Sequence, residues 1–277
     1  MPSARLLLPL LALLAVLPAC AEFSGERSSN SLLSSNNDPV LLFSEEQEIA
    51  LGRQTAAAAR QQYKVLGDAQ VQAYVRGVGE RLGKLSDRPA LKYEFTVIDA
   101  PEVNAFACPG GFIFITRGIL QKMNDEAELG SVLGHEIGHV VRRHALKRMQ
   151  RAAIAELGLS MVTDVLSANT GALVQQLGPV ASNLLLLRNG REAELESDEQ
   201  GLLICSRAGL DPNGMVRVQE MLLKEGGAGQ GAYAELFASH PPSEQRIQQV
   251  KMLLPRYSGA VDEGAARYKV GVLDRLK

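Results

Sequence analysis

The sequence has little of several features that mark specialised classes of protein. Its 277 residues carry 29 Lys and Arg against 31 Asp and Glu, and neither sign forms a long run. This balance excludes the basic surface of a nucleic-acid-binding protein, so we expect no nucleic acid among its partners. No repeat of fixed period is present, which excludes a repeat protein. With 46% hydrophobic residues, the chain is long enough to bury one large core.

Long apolar runs are also missing, apart from one at the N-terminus. Leu6–Leu17 is almost wholly apolar, follows Arg5, and is too short to span a bilayer. This pattern predicts a signal peptide over residues 1–20. The run ends in "LPAC" (17–20), which resembles a bacterial lipobox and would make Cys20 the lipidated first residue of the mature protein. The alternative is an ordinary secretory signal with an incidental cysteine.

Residues 21–40 are rich in serine and asparagine and have no periodicity. We therefore predict a flexible tether with an average span of roughly 25 Å. No aspartate directly follows Cys20, which by resemblance to bacterial lipoproteins favours the outer membrane over the inner. We expect a periplasmic protein whose single domain, residues 41–277, stands just off that membrane on its lipid anchor.

Only three cysteines are present, and two of them lie beyond Cys20. Cys108 and Cys205 could pair in an oxidising compartment or remain two buried thiols. The sequence favours neither, because it does not give the distance between them.

The distribution of local signals predicts an α+β fold that is mostly helical. Ser44-Glu-Glu-Gln47 is a capping box before an alanine-rich helix, and a second helical pattern begins near Asp68. Residues 91–100 and 111–116 have the character of strands. A Pro-Gly-Gly turn at 109–111 separates them, so we expect both in one small sheet.

Histidine is scarce, with four in the chain, yet three of them fall within "GHEIGHVVRRH" (134–144). This segment follows a capping box at Asp125-Glu-Ala-Glu128. The apolar residues after it recur at helical spacing, which predicts one continuous helix over 126–157. The cluster of histidines is therefore expected on a buried helix.

The spacing of His135 and His139 predicts a metal site. Residues four apart share a helix face, so both imidazoles can hold one cation, and neutral imidazoles at this spacing suit zinc. Glu136 would act as general base on a water molecule at the metal and pass the proton to a leaving amine. The alternative is a pair of buried histidines without a metal.

A catalytic zinc ion needs a third protein ligand. His144 lies five residues after His139 and points away from it on a continuous helix, so we predict a surface or second-layer role for it. Glu194 and Asp198 lie four apart on a predicted helix, so the first can bind the metal while the second orients a ligand imidazole. Judged by the residues alone, two neighbouring carboxylates compete with Glu194: Glu192 and Glu196.

Four blocks together resemble one protein family. They are "NAFACPGGFIFITRGIL" (104–120), "DEAELGSVLGHEIGHVVRRH" (125–144), "GREAELESD" (190–198) and "SHPPSEQRI" (239–247). The chain resembles the HtpX and CAAX-prenyl-protease type of zinc metallopeptidase, within the gluzincins, over about residues 44–255. Its features resemble the periplasmic lipoprotein branch of LoiP, YcaL and the protease domain of BepA. Cys108 departs from the aliphatic residue that many relatives carry.

The resemblance implies a zincin-like domain with a small antiparallel sheet over the His-Glu-x-x-His helix. It also implies one zinc ion per chain, with Glu194 as third ligand and Asp198 behind the ligands. "FIFIT" is then an edge strand that pairs with the substrate backbone. The implied substrate-binding residues are Asn104, Ala105, Phe112, Ile113 and Phe114.

His240, the fourth histidine, takes one of two roles by the same resemblance. It is a switchable fourth ligand that closes onto zinc, a movement that the glycine-rich segment 225–231 would allow. Alternatively, it polarises the oxyanion of the reaction, a task for which Arg246 is a second candidate.

The function implied is that of a zinc metalloendopeptidase that clears misfolded or unassembled envelope proteins. A rival hypothesis is a latent or non-catalytic, chaperone-like binding module in which His240 caps the zinc permanently. The intact Glu136 argues against the rival, because a binding module has no need of a general base. A zinc hydrolase of a non-peptide bond is a third possibility, against which the peptide-pairing strand argues.

Overall fold

Capping residues begin the first helices where the sequence predicts them. The computed structural model describes residues 41–167, 169–184, 189–226, 231–257 and 264–277. Ser44 and Gln47 form the predicted capping box, and Asp68 accepts hydrogen bonds from two backbone N–H groups of the second helix. The predicted signal peptide, the lipidation site Cys20 and the tether lie outside the described residues, and the predicted domain boundaries remain predictions.

The helices and strands confirm an α+β fold that is mostly helical. In chain order they are α1 (Glu45–Gln62), α2 (Ala69–Lys84), β1 (Glu94–Ile98), β2 (Ala105–Cys108), β3 (Phe112–Thr116), α3 (Arg117–Leu120), α4 (Glu126–Val141), α5 (His144–Leu157), α6 (Leu159–Ser167), α7 (Thr170–Leu184), α8 (Arg191–Arg207), α9 (Asn213–Gly226), α10 (Ala234–Ser239), α11 (Glu244–Leu253) and α12 (Ala265–Tyr268). Among the described residues, no helix has both the length and the apolar character needed to cross a membrane.

The three strands form a mixed sheet in the order β1-β3-β2. β1 runs parallel to β3, whereas β2 runs antiparallel to it and pairs Ala105 with Ile115. The expectation of a purely antiparallel sheet is therefore wrong. The sequence-based prediction had missed β2, which lies between β1 and β3 along the chain and reverses its direction, so that β1 and β3 run parallel.

The helix that carries the histidine motif is shorter than predicted. Asp125 caps α4 through the N–H of Glu128, as expected, but the helix ends at Val141 and α5 starts at His144. Arg143 between them has φ 55°, in the left-handed region that non-glycine residues rarely adopt. Its guanidinium Nε lies 3.1 Å from the buried carboxylate of Glu48 on α1, a contact that favours this break.

Close approach of α4 and α8 organises the centre of the domain. A Cβ atom built on Gly134 would lie 3.2 Å from the Cα of Gly201, and one built on Gly138 would lie 2.9 Å from the carbonyl oxygen of Ser197. The absence of side chains at these positions lets the two helix backbones meet. β2 and β3 pack against α4 from the sheet, and every residue of α4 from Glu126 to Val140 is buried.

Candidate metal centre

The buried face of α4 brings the two motif histidines together as predicted. The Nε2 atoms of His135 and His139 lie 3.0 Å apart, and both side chains are buried. Glu136, between them in sequence, is also buried. Its Oε2 atom has no hydrogen-bond partner among the described residues. The helix therefore presents two ring nitrogens and one carboxylate with unused capacity to the same region.

The carboxylate of Glu194 reaches both histidines from α8. Its Oε2 lies 3.5 Å from His135 Nε2, and its Oε1 lies 3.4 Å from His139 Nε2. The competing glutamates are placed elsewhere, because Glu192 is exposed and Glu196 is half exposed and bonds to another histidine. The geometry thus selects Glu194 among the three candidates.

Asp198 fixes the orientation of the His135 ring. It accepts a hydrogen bond from His135 Nδ1 at 2.8 Å, which leaves Nε2 as the ring nitrogen that can bind a cation once it has lost its proton. Arg246 on α11 holds Asp198 with two hydrogen bonds, at 2.8 and 2.7 Å, and lies 2.7 Å from Glu194. The guanidinium is therefore committed to the carboxylates around the site, which favours a positioning role over the predicted oxyanion role.

His139 has a different support, which the break after α4 makes possible. Its Nδ1 atom lies 2.8 Å from Nδ1 of His144, and His144 Nε2 lies 3.1 Å from the carboxylate of Glu196. Burial lowers the pKa of His144 to about 4, so its ring is neutral and can accept the hydrogen bond from His139 while it donates to Glu196. His144 is not a ligand, as predicted, but it lies in the second layer and not on the surface.

His240 joins the same cluster from the end of α10. Its Nδ1 lies 3.0 Å from Glu194 Oε1, and its Nε2 lies 3.7 Å from Glu136 Oε1. Four ligand atoms lie within 4.8 Å of one another, one from each of His135, His139, Glu194 and His240. The structure therefore places His240 where a fourth ligand would be, close to the general base of the prediction.

The donor set fits a small tetrahedral cation. Metal–nitrogen and metal–oxygen bonds of about 2.0–2.1 Å at tetrahedral angles place neighbouring donors about 3.3 Å apart. The observed separations of 3.0, 3.4 and 3.5 Å lie around that value. Two imidazoles and one carboxylate, with a fourth position beside them, form a donor set that is typical of zinc.

The ionisation of these groups also favours a cation. Burial opposes the charged form of Glu194, but His240, Arg246 and the motif histidines hold its pKa well below the usual value. Burial likewise opposes protonation of His135, but its bonds to Asp198 and Glu194 raise its pKa to about 10. Burial lowers the pKa of His139 well below the usual value. In the metal-free protein, a proton on His135 therefore neutralises part of the negative charge of the site. A bound cation would take over that task.

The predicted substrate-binding residues divide into two groups. Phe112, Ile113 and Phe114 lie in β3, the central strand, whose backbone pairs on both sides. The prediction that "FIFIT" is an edge strand is therefore wrong. β2, which starts at Ala105, is the edge strand beside α4 among the described strands. Asn104 precedes it and is buried, with its amide bonded to Glu235 on α10.

Several residues of the site gave no signal in the sequence. The hydrogen bonds that connect His139 to Glu196 through the neutral ring of His144 depend on a break between two helices. No glycine or proline in the sequence indicates that break.

The two remaining cysteines are free, buried thiols, which resolves the open alternative against a disulfide. Burial raises the pKa of Cys108, and that of Cys205 to about 12, so both stay protonated at neutral pH. The predicted loop at 225–231 lies largely outside the described residues.

Comparison with known families matches the pattern of "Peptidase family M48" to residues 69–254. This span includes both histidines of α4, the glutamate of α8 and His240. The chain belongs to peptidase family M48. The predicted resemblance to a zinc metallopeptidase family and its YcaL-like and BepA-like members is thereby confirmed.

Relatives within the M48 family are proteases of bacteria and of mitochondria. The chain is 35% identical over 185 residues to mitochondrial metalloendopeptidase OMA1 of Schizosaccharomyces pombe, which covers 66% of this chain and 52% of the relative. It is 30% identical to metalloprotease YcaL of Escherichia coli, over 62% of this chain and 68% of the relative. It is 28% identical to the beta-barrel assembly-enhancing protease of Escherichia coli, over 74% of this chain but only 43% of the relative. The chain thus spans about half the length of most of these relatives.

Proposed function

We propose that the protein is a zinc-dependent endopeptidase with one zinc ion per chain, held by His135, His139 and Glu194. When bound, zinc polarises the scissile carbonyl group and makes a water molecule acidic. Glu136 takes the proton of the attacking water and delivers it to the leaving amine. Asp198 and His144 hold the two histidine rings so that each directs Nε2 toward the ion.

One observation supports this function more than any other. Ring nitrogens from α4 and carboxylate oxygens from α8 converge at the spacing of a tetrahedral ion, and the buried Oε2 of Glu136 has no partner among the described residues. A buried carboxylate without a partner is costly, so its presence beside a metal site favours a catalytic role. Membership of a metallopeptidase family and similarity to a metalloprotease support the same function.

The edge strand provides the route for an extended substrate. A peptide that adds to β2 as a further strand would use the backbone groups of residues 105–108 and lie beside α4. Ala105 also lines the cavity next to His135 and Glu136, so a chain bound there reaches the metal centre. We therefore assign the substrate-pairing role to β2. The sequence had indicated β3 for it.

The proposed cellular setting rests on the N-terminal sequence. We place the protein in the periplasm, anchored to the outer membrane by a lipid on Cys20, where misfolded or unassembled envelope proteins are its substrates. The lipobox-like "LPAC" and the tether-like composition of residues 21–40 support this setting. One relative carries a name that describes a protease that enhances β-barrel assembly, which agrees with substrates of the outer membrane.

A second function, a latent or chaperone-like binding module, is favoured by the position of His240. An imidazole at the fourth position of the cluster would exclude the attacking water. The edge strand would then bind unfolded segments without cleaving them. The intact Glu136 favours the peptidase, and the two functions differ in whether proteolysis is ever observed.

Proteolysis of casein by the full chain in detergent distinguishes these functions. We expect cleavage by the zinc-loaded wild type, loss of cleavage with a zinc chelator, and a fall of about 10²–10⁴-fold in Glu136→Gln, because only the proton transfer is removed. Equal zinc content in both proteins is the control. Undetectable cleavage by a zinc-loaded wild type, with retained binding of unfolded casein, would support the binding module instead.

A further inference from the structure

A cavity opens beside the metal centre on the side of α9. It is bounded by His135 and Glu136 at one end, and its volume is about 60 Å³, where one water molecule requires about 10–15 Å³. Roughly four to six non-hydrogen atoms fit, the size of one medium side chain. Most of its wall is apolar: Ile119, Val132, Met215, Val218, Leu222 and Leu236.

Among the polar side chains that complete the wall is one uncharged amide. Gln219 lies one turn from Met215 and from Leu222 on α9, lines the cavity and is only 7% exposed. Neither its Oε1 nor its Nε2 has a hydrogen-bond partner among the described residues. The amide is therefore a buried donor and a buried acceptor that are not used within the part of the chain that the structure describes.

The other uncharged polar side chains of the cavity are already engaged. Ser131 Oγ donates to the carbonyl of Ala127 at 2.8 Å, and Ser243 Oγ accepts from the backbone N–H of Arg246. Arg246 itself is held by carboxylates. Gln219 is thus the uncharged side chain of the wall in which neither polar atom has a partner among the described residues.

We propose that this cavity receives the substrate side chain next to the scissile bond, and that Gln219 selects a carboxamide there, glutamine or asparagine. The inference rests on the proposed peptidase function. A carboxamide presents one acceptor and two donors, so it satisfies both ends of the Gln219 amide, whereas its methylene groups contact the apolar wall.

The relevant competitor is methionine, which has the length of glutamine without its hydrogen bonds. A site that contains buried polar groups discriminates strongly against an analogue that leaves them unpaired. We expect wild-type cleavage to favour glutamine over methionine at one position beside the scissile bond by about tenfold, the factor that corresponds to one hydrogen bond of about 1.4 kcal/mol.

Cleavage profiles of a peptide mixture, read by mass spectrometry, test the proposal. Gln219→Met is expected to lose the preference for glutamine and to favour methionine or leucine, while the rest of the profile is unchanged. Gln200→Met is the matched control, because Gln200 is a buried glutamine with an unpartnered Oε1 on α8 but does not line the cavity. A Gln219→Met profile equal to that of the wild type overturns the proposal.

Calorimetric binding of dipeptide hydroxamates to the zinc-loaded protein separates this proposal from the proposed function. Two ligands that differ only in glutamine against methionine are compared, and we expect about tenfold tighter binding of the first. Preference in binding without any cleavage would sustain the pocket and contradict the peptidase. Cleavage without preference in the wild type would sustain the peptidase and contradict the pocket, whether or not Gln219→Met folds.

Discussion

The four histidine and glutamate side chains of the metal centre come from two regions that are built very differently. α4 and α8 are long helices whose backbones meet at glycines, and α4 is buried along nearly its whole length. His240 instead follows α10, a helix of six residues, and its own backbone is held by a hydrogen bond to Leu236. The difference indicates three ligands fixed by helix packing and a fourth that depends on a short segment.

The supports of the rings show the same contrast. His135 is oriented by Asp198 and His139 by His144, neither of which is a ligand. The Nδ1 atom of His240 instead lies 3.0 Å from Glu194, a ligand of the site itself, and has a longer contact of 3.4 Å with the amide of Asn189. The shorter contact of the His240 ring is therefore with a ligand of the site, whereas the rings of the other two histidines are oriented by residues that are not ligands. An exchangeable fourth ligand is the consequence that we expect.

The largest effect on zinc binding should follow from removing one of the three metal ligands that α4 and α8 carry. Glu194→Ala should weaken zinc binding by more than about a hundredfold, since losing even a second-layer partner costs about 10–100-fold. Glu192→Ala is the matched control, because it removes an exposed glutamate from the same turn of α8. Competition with a chelator of known zinc affinity measures both. Equal zinc affinity in the two variants would mean that α8 supplies no ligand.

A smaller effect should follow from separating the two helices. In Gly138→Ala the new Cβ would lie 2.9 Å from the carbonyl oxygen of Ser197, a backbone atom that cannot rotate away. Overpacking of this kind costs about 1–3 kcal/mol, more than the roughly 1 kcal/mol by which alanine favours a helix over glycine. Urea unfolding is the measurement.

Gly77→Ala gives the opposite expectation in the same experiment. Gly77 lies on the exposed face of α2, and a Cβ there meets nothing within 4 Å. The Gly77→Ala substitution should raise the free energy of unfolding by up to about 1 kcal/mol. If Gly138→Ala were also stabilising, the close approach of α4 and α8 would not be what positions Glu194.

The smallest effect concerns one proton. In the metal-free protein His135 is protonated at pH 7, because its pKa is raised to about 10, whereas the pKa of His139 is well below the usual value and its ring is neutral. Glu194 is already ionised. Since a ligand imidazole must be neutral, zinc binding at pH 7 should release about one proton, and none once the pH exceeds the pKa of His135.

Calorimetry in two buffers of different ionisation enthalpy measures this proton. Asp198→Asn removes the carboxylate that raises the pKa of His135 and should reduce the release below one proton. Release of two protons would show that His139 is also charged before the metal binds. The contrast between Asp198 as the support of His135 and neutral His144 as the support of His139 would then be wrong.

Local signals in the sequence were enough to place the histidine motif, but not to select its third ligand. The cap at Asp125 and the spacing of His135 and His139 placed the motif on a buried helix, because caps and helical periodicity act over a few residues. Glu194 was one of three carboxylates by spacing alone, and only the resemblance to a family separated it from its neighbours.

Features that depend on distant contacts could not be predicted in this way. The break at Arg143 follows from Glu48, which is almost a hundred residues away, and it places His144 behind His139. β2 has only four residues, and it is its pairing with β3 that puts β3 in the centre of the sheet. Gln219 is an ordinary glutamine in a helical pattern until the fold surrounds it with apolar side chains.

The central claim is that three ligands are fixed and the fourth is exchangeable. Measuring the zinc content and casein cleavage of His240→Ala beside the wild type tests it most directly. We predict one zinc ion per chain in both proteins and cleavage by the variant at least as fast as by the wild type. Loss of zinc from His240→Ala to the extent seen in Glu194→Ala would contradict the claim.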